Sequence, residues 1–103
     1  MCRDLYELYE RTVAAKLPRE DGKAYVPNYF KRGLDNWCGV NNPVPLVASI
    51  CRRQTKGFDV ILARGSRDLT VEALVVNEGK PYHDLFDDET IQRSRRRLSQ
   101  FDG

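Results

Sequence analysis

LVASICRRQTKGFDVILARGSRDLTVEALVVN, residues 46 to 77, is the stretch on which the fold turns. Three apolar segments lie in it: Leu46 to Arg53, Phe58 to Arg64 and Leu69 to Asn77. They are separated by Gln54-Thr55-Lys56-Gly57 and Gly65-Ser66-Arg67-Asp68. Four-residue connections rich in turn formers suit antiparallel hairpins. The third segment alternates Leu69, Val71, Ala73 and Val75 with Thr70, Glu72, Leu74 and Val76, the two-residue period of a strand. In the first, Leu46, Val47, Ile50 and Cys51 also fit a helical stripe, and Pro45 suits a first helical position; the strand reading is taken. The expectation is a three-stranded antiparallel meander.

Outward from this centre the periodicity changes. Leu5, Leu8, Tyr9, Thr12 and Val13 recur at helical spacing from Asp4 to Leu17, with Pro18 to Gly22 as a stop and turn. A short second helix, Tyr29 to Asn36, fits behind Asn28 as cap, although Gly33 costs it about 1 kcal/mol relative to alanine. The large aromatics Tyr29, Phe30 and Trp37 are expected to pack inside, because a domain this small needs their area. Cys38 to Pro45 is dense in turn formers. Beyond the meander, Asn77 to Pro81 makes a turn, and Asp87, Asp88 and Glu89 open a last helix that runs to about Phe101. The fold class read from this order is α+β: one small single domain over residues 1–103, a helix at each end and the meander between.

Length and composition narrow the class. One hundred and three residues, 41% hydrophobic and 31% charged, are enough for one core and too few for two. The longest apolar cluster, Val44 to Cys51, holds a proline and a serine, so no membrane partner is expected. The start, Met1-Cys2-Arg3-Asp4-Leu5, lacks the charged lead and apolar stretch of a signal peptide. Cys2, Cys38 and Cys51 are odd in number and widely spaced, which reads as reduced thiols in a soluble, cytoplasmic chain. The net charge is +2, so any basic surface must be local.

Such a surface is written in the last helix. At 100° per residue Arg93, Arg96, Arg97 and Gln100 share a face opposite Ile91 and Leu98, so three guanidiniums are expected to point together into solvent. Each offers a planar fork of donors to carboxylate or phosphate. Arg52, Arg53 and Lys56 form a second basic group beside the first connection. A structural role competes with binding, since acids at a helix start and arginines near its end complement the macrodipole, and Glu89 can pair with Arg93.

Asp59, Glu78 and Lys80 carry a different reading. An acid at the start of one strand, followed after the next strand by Glu-x-Lys, resembles the layout of the PD-(D/E)xK nucleases. The order helix, three strands, helix is similar to that family's core. The resemblance implies a divalent metal held by the carboxylates and a metal-activated water. This chain departs from the pattern: Phe58 precedes Asp59 where the family has proline, Gly79 gives the Glu-x-Lys stretch the character of a turn, and no strand follows the last helix.

His83, the one histidine, stands near Asp84, Asp87, Asp88 and Glu89, acids that serve a helix start, and no metal is assigned to it. No cofactor is expected either, because the glycines fall singly in turns. The reading that results is a non-catalytic interaction or regulatory module binding an anionic partner through the basic face of the last helix. An acidic protein surface ranks ahead of nucleic acid, and the small metal-dependent nuclease comes last. The oligomeric state stays open.

Overall fold

Thr55 and Thr70 overturn the meander. In the computed structural model of the chain, which describes residues 1–53, 55–77, 79 and 81–101, each threonine caps a helix where a strand was expected. The Thr55 hydroxyl accepts the Phe58 N–H at 3.1 Å, and the Thr70 hydroxyl accepts the Ala73 N–H at 3.1 Å. Each bond satisfies one of the amide donors left over in a first helical turn. The described residues form six α-helices: α1 (Cys2–Ala14), α2 (Asn28–Gly39), α3 (Val44–Arg52), α4 (Lys56–Arg64), α5 (Val71–Val76) and α6 (Asp88–Leu98). Short 3-10 turns cover Arg67–Leu69, Pro81–Leu85 and Ser99–Phe101. No strand occurs among the described residues; an isolated antiparallel bridge joins Pro18 to Ala24. The fold is therefore all-helical, and the α+β class with its meander is withdrawn.

Burial explains why the helical period wins. In α3 the buried positions are Val47 and Cys51, four apart, with Pro45 in the first turn, where its missing N–H costs nothing. In α4 they are Phe58 and Ile61, three apart, and in α5 Val71, Glu72 and Val75. Glu72 thus lies inside, where strand alternation placed it opposite Val71 and Val75. The nuclease-like order of helix, three strands and helix falls with the meander.

The helix expected at the N-terminus is present and stops at Ala14, before Leu17, which is itself buried beside the Pro18 bridge. Tyr6 Oη donates to Asp35 Oδ1 at 2.7 Å, and Cys2 is bonded to Cys38, so α1 and α2 run antiparallel. That arrangement corrects the reduced-thiol expectation. The pairing joins the start of one helix to the end of the next, with Cα atoms 5.9 Å apart, a distance two distant positions reach only once the helices have packed. Cys51 remains a free, buried thiol.

One core holds these elements together. Leu5 and Leu8 of α1, Leu34 of α2, Val47 and Cys51 of α3, Val71 and Val75 of α5 and Ile91 of α6 form a single cluster, joined by Phe86. Truncating Leu34, which is fully buried, to alanine is expected to cost about 2 to 5 kcal/mol. Within this packing α3 touches α2, α5 and α6, and α5 lies along α6. The helix that carries the arginines is therefore seated on two others. No helix among the described residues is long and apolar enough to cross a membrane.

Candidate functional site

Asp87 starts α6, its side chain accepting the Thr90 N–H at 2.8 Å. The Thr90 hydroxyl and amide and the Arg52 guanidinium hold the Asp87 carboxyl down at about 2. Arg52 reaches across from the end of α3 to pair with Asp87 and to donate through Nε to the Thr90 hydroxyl at 3.1 Å. The start of α6 is thus fixed to α3, and Thr90, Ile91, Ser94 and Leu98 follow on the buried side.

Further along α6, two arginines return the connection. Arg93 Nη1 donates to the Arg52 carbonyl at 3.1 Å, and its Nη2 lies 3.1 Å from the Glu89 carboxylate. Arg97 Nη1 donates to the Ile50 carbonyl at 2.8 Å and Nη2 to the Arg53 carbonyl. These are carbonyls at the C-terminal end of α3, the acceptors an α-helix cannot satisfy internally. Arg97 also stacks over Phe58 of α4 at 5.3 Å and approaches Glu72 of α5 at 3.8 Å.

Inside this seam the titratable groups are displaced from their ordinary values. Burial pushes the Glu72 carboxyl up to about 7, with Arg97 and the backbone pulling the other way. Burial, followed by the Glu72 charge, pushes the Cys51 thiol up to about 12, against the opposing pull of Ser94 and Arg97. A thiol so placed is no nucleophile.

The expected arginine face is therefore divided. The Arg97 side chain is only 16% exposed and Arg93 45%, and both spend donors on α3. Arg96 is exposed and has no ion-pair partner among the described residues; the same holds for Arg53 at the end of α3. Arg93, Arg96, Arg97 and Gln100 line one recess of about 310 Å³ with Cys51 at its wall. Arg52 and Arg53 stand where Arg93 and Arg97 make their carbonyl contacts, while Lys56 opens α4. The structure thus brings Arg52 and the Arg53 carbonyl to the arginines of α6, through contacts that engage Arg52, Arg93 and Arg97.

Asp59 stands in the first turn of α4, and Glu78 and Lys80 lie outside the described residues. His83 lies in a 3-10 turn, 3.6 Å from Asp84, while Asp87 is engaged with Thr90 and Arg52. Among the described residues no group of three His, Cys, Asp or Glu side chains is placed to hold a metal ion.

The expectation that Tyr29 and Trp37 pack inside is corrected, and a recess the sequence did not show is present. Tyr29 is 86% exposed, under the Arg32 guanidinium at 5.8 Å, and Trp37 and Val40 are exposed beyond it, whereas Phe30 does pack on the core. A larger recess, about 470 Å³, opens between α1 and α5 beside Asp4, Glu7, Arg11 and Asp68. Its charges are mixed, and no single ligand chemistry follows from them. The chain matches no known protein family, and no curated protein or solved structure matches it.

Proposed function

We propose that the chain is a non-catalytic interaction module, acting in the cytoplasm, that binds an acidic protein surface through the seam between α3 and α6. The observation that supports this reading is the division of labour among its cations. Arg52, Arg93 and Arg97 are held by internal bonds, which leaves Arg96 and Gln100 as outward groups at one recess and Arg53 exposed at the end of α3.

Electrostatics favour a protein over a nucleic acid in this reading. Binding a phosphate backbone draws on many cations at once, each releasing counterions. Here the Arg52 and Arg93 guanidiniums are matched by Asp87 and Glu89, and Arg97 is withdrawn beside Glu72. A few outward donors on a rigid frame suit a defined acidic patch, where placed charges give specificity and speed of association. The displaced Cys51 thiol and the engaged Arg97 supply no nucleophile and base pair for chemistry.

The test is affinity capture from an extract of the native cell, with and without nuclease, using the native chain and an Arg53→Glu/Arg96→Glu variant. Capture that survives nuclease and is lost in the variant is the expected result. Capture that disappears with nuclease makes the partner a nucleic acid. Equal capture by both chains rejects the seam as the binding surface.

A further inference from the structure

The recess beside α6 has a one-sided lining. Arg93, Arg96, Arg97 and Gln100 surround it with Cys51, and no carboxylate is among its lining residues. The larger recess between α1 and α5, by contrast, mixes Asp4, Glu7 and Asp68 with Arg11. Arg93, Arg96 and Gln100 are exposed, so a small solute reaches them from water, while Arg97 stands further in.

Their charges are matched unequally. Arg96 has no ion-pair partner among the described residues. Arg93 pairs with Glu89 in a contact exposed on both sides, weak enough to admit a competing anion. Arg97 faces Glu72, but burial pushes that carboxyl up to about 7, so near neutral pH it offsets the guanidinium only in part. The C-terminal carbonyls of α3 offset a further part, roughly half an elementary charge for a helix end. The recess keeps a net positive charge.

The bonds to α3 also fix geometry. Arg93 is tied to the Arg52 carbonyl and Arg97 to the Ile50 and Arg53 carbonyls, so two of the three guanidiniums are ordered before any ligand arrives. Each guanidinium has five N–H donors, and these bonds occupy only some of them. A carboxylate would present two oxygens and a single charge. A phosphate monoester presents three terminal oxygens and a charge of about −1.5 to −2 at neutral pH, the better match to three guanidiniums and an amide at one recess.

We infer that the recess lined by Arg93, Arg96, Arg97 and Gln100 is a phosphomonoester subsite, which takes the phosphate of a phosphorylated serine or threonine on the partner surface. The inference rests on the acidic-surface reading above and narrows it to one anchoring group. A single phosphate needs only this recess, whereas a nucleic-acid backbone needs a row of such sites.

The experiment titrates the full, isotope-labelled chain with N-acetyl-O-phosphoserine amide and follows the arginine Nε–H signals by NMR. N-acetylaspartate amide, inorganic phosphate and a single-stranded oligonucleotide serve as parallel probes. The expected result is saturable movement of the Arg96 and Arg97 signals, with phosphoserine bound about tenfold more tightly than aspartate. Arg96→Gln should weaken phosphoserine binding about tenfold at an unchanged urea midpoint, and Arg96→Lys, which keeps the charge and loses the fork, should fall between. Equal binding of aspartate and phosphoserine overturns the phosphate assignment, and no saturable movement overturns the subsite altogether. Tighter binding of inorganic phosphate or of the oligonucleotide overturns the protein source. Phosphatase treatment of the native extract separates this inference from the reading beneath it. Partner capture lost after treatment supports the subsite; capture that persists and still needs Arg53 and Arg96 removes the phosphate and leaves the acidic-surface reading standing.

Discussion

The Arg97 guanidinium lies 3.8 Å from the Glu72 carboxylate, and both side chains are largely withdrawn from water. The contact joins α6 to α5. Through the Ile50 and Arg53 carbonyls and the Phe58 ring, the same guanidinium also holds α3 and α4. An arginine that looked from the sequence like one of three solvent-facing charges is a junction of four helices.

Arg97→Ala is expected to destabilise the chain by about 3 to 5 kcal/mol, the cost of leaving one partner of a buried ion pair alone, with unsatisfied carbonyls adding to it. Urea denaturation measures this. Adding Glu72→Gln to Arg97→Ala should recover part of the loss, because the two residues are coupled.

Glu72 also gives stability a pH dependence of unusual sign for an acid. Its folded value, about 7, lies above its ordinary 4.5, so between those values the folded chain holds a proton that the unfolded chain has released. Stability is then lost as pH rises from about 4.5 to about 7, by about 3 kcal/mol. Asp87, held at about 2 from 3.8, acts oppositely: its contribution is present above 3.8 and is lost as pH falls through 2. The difference between native and Glu72→Gln denaturation curves across this range isolates the first effect, which should vanish in the variant.

Thr55→Ala and Thr70→Ala should each cost about 1 kcal/mol through loss of the capping bond. Far-ultraviolet circular dichroism of the native chain should show a helical spectrum, and a strand-dominated spectrum would contradict the caps and the helices behind them.

The Cys51 thiol should resist iodoacetamide in the native chain at neutral pH and react once urea exposes it. Mass measurement after alkylation counts the label. Fast labelling of the folded chain would contradict its burial between α3 and α6.

The ends of the fold were legible in the sequence because α1 and α6 are long enough for several helical repeats, and Asp87 announces its cap. The middle was not. The described α3, α4 and α5 span nine, nine and six residues, lengths over which a period of two and a period of 3.6 share many positions. Gly57 and Gly65 made the connections look like hairpins. The signal that separated the readings was Thr55 and Thr70, each placed directly before a run with helical burial. Arg93, Arg96, Arg97 and Gln100 do line one recess, but the expectation of three guanidiniums projecting into solvent missed that Arg93 and Arg97 are engaged with the end of α3. No local pattern encodes that contact, nor the approach of Cys2 to Cys38.

The most direct measurement compares Arg53→Glu/Arg96→Glu with the native chain, at equal urea midpoints, for retention of partner from nuclease-treated native extract. The account predicts an unchanged midpoint with retention lost, because these two arginines face outward while Arg93 and Arg97 hold the frame. Full retention by a properly folded variant would contradict it.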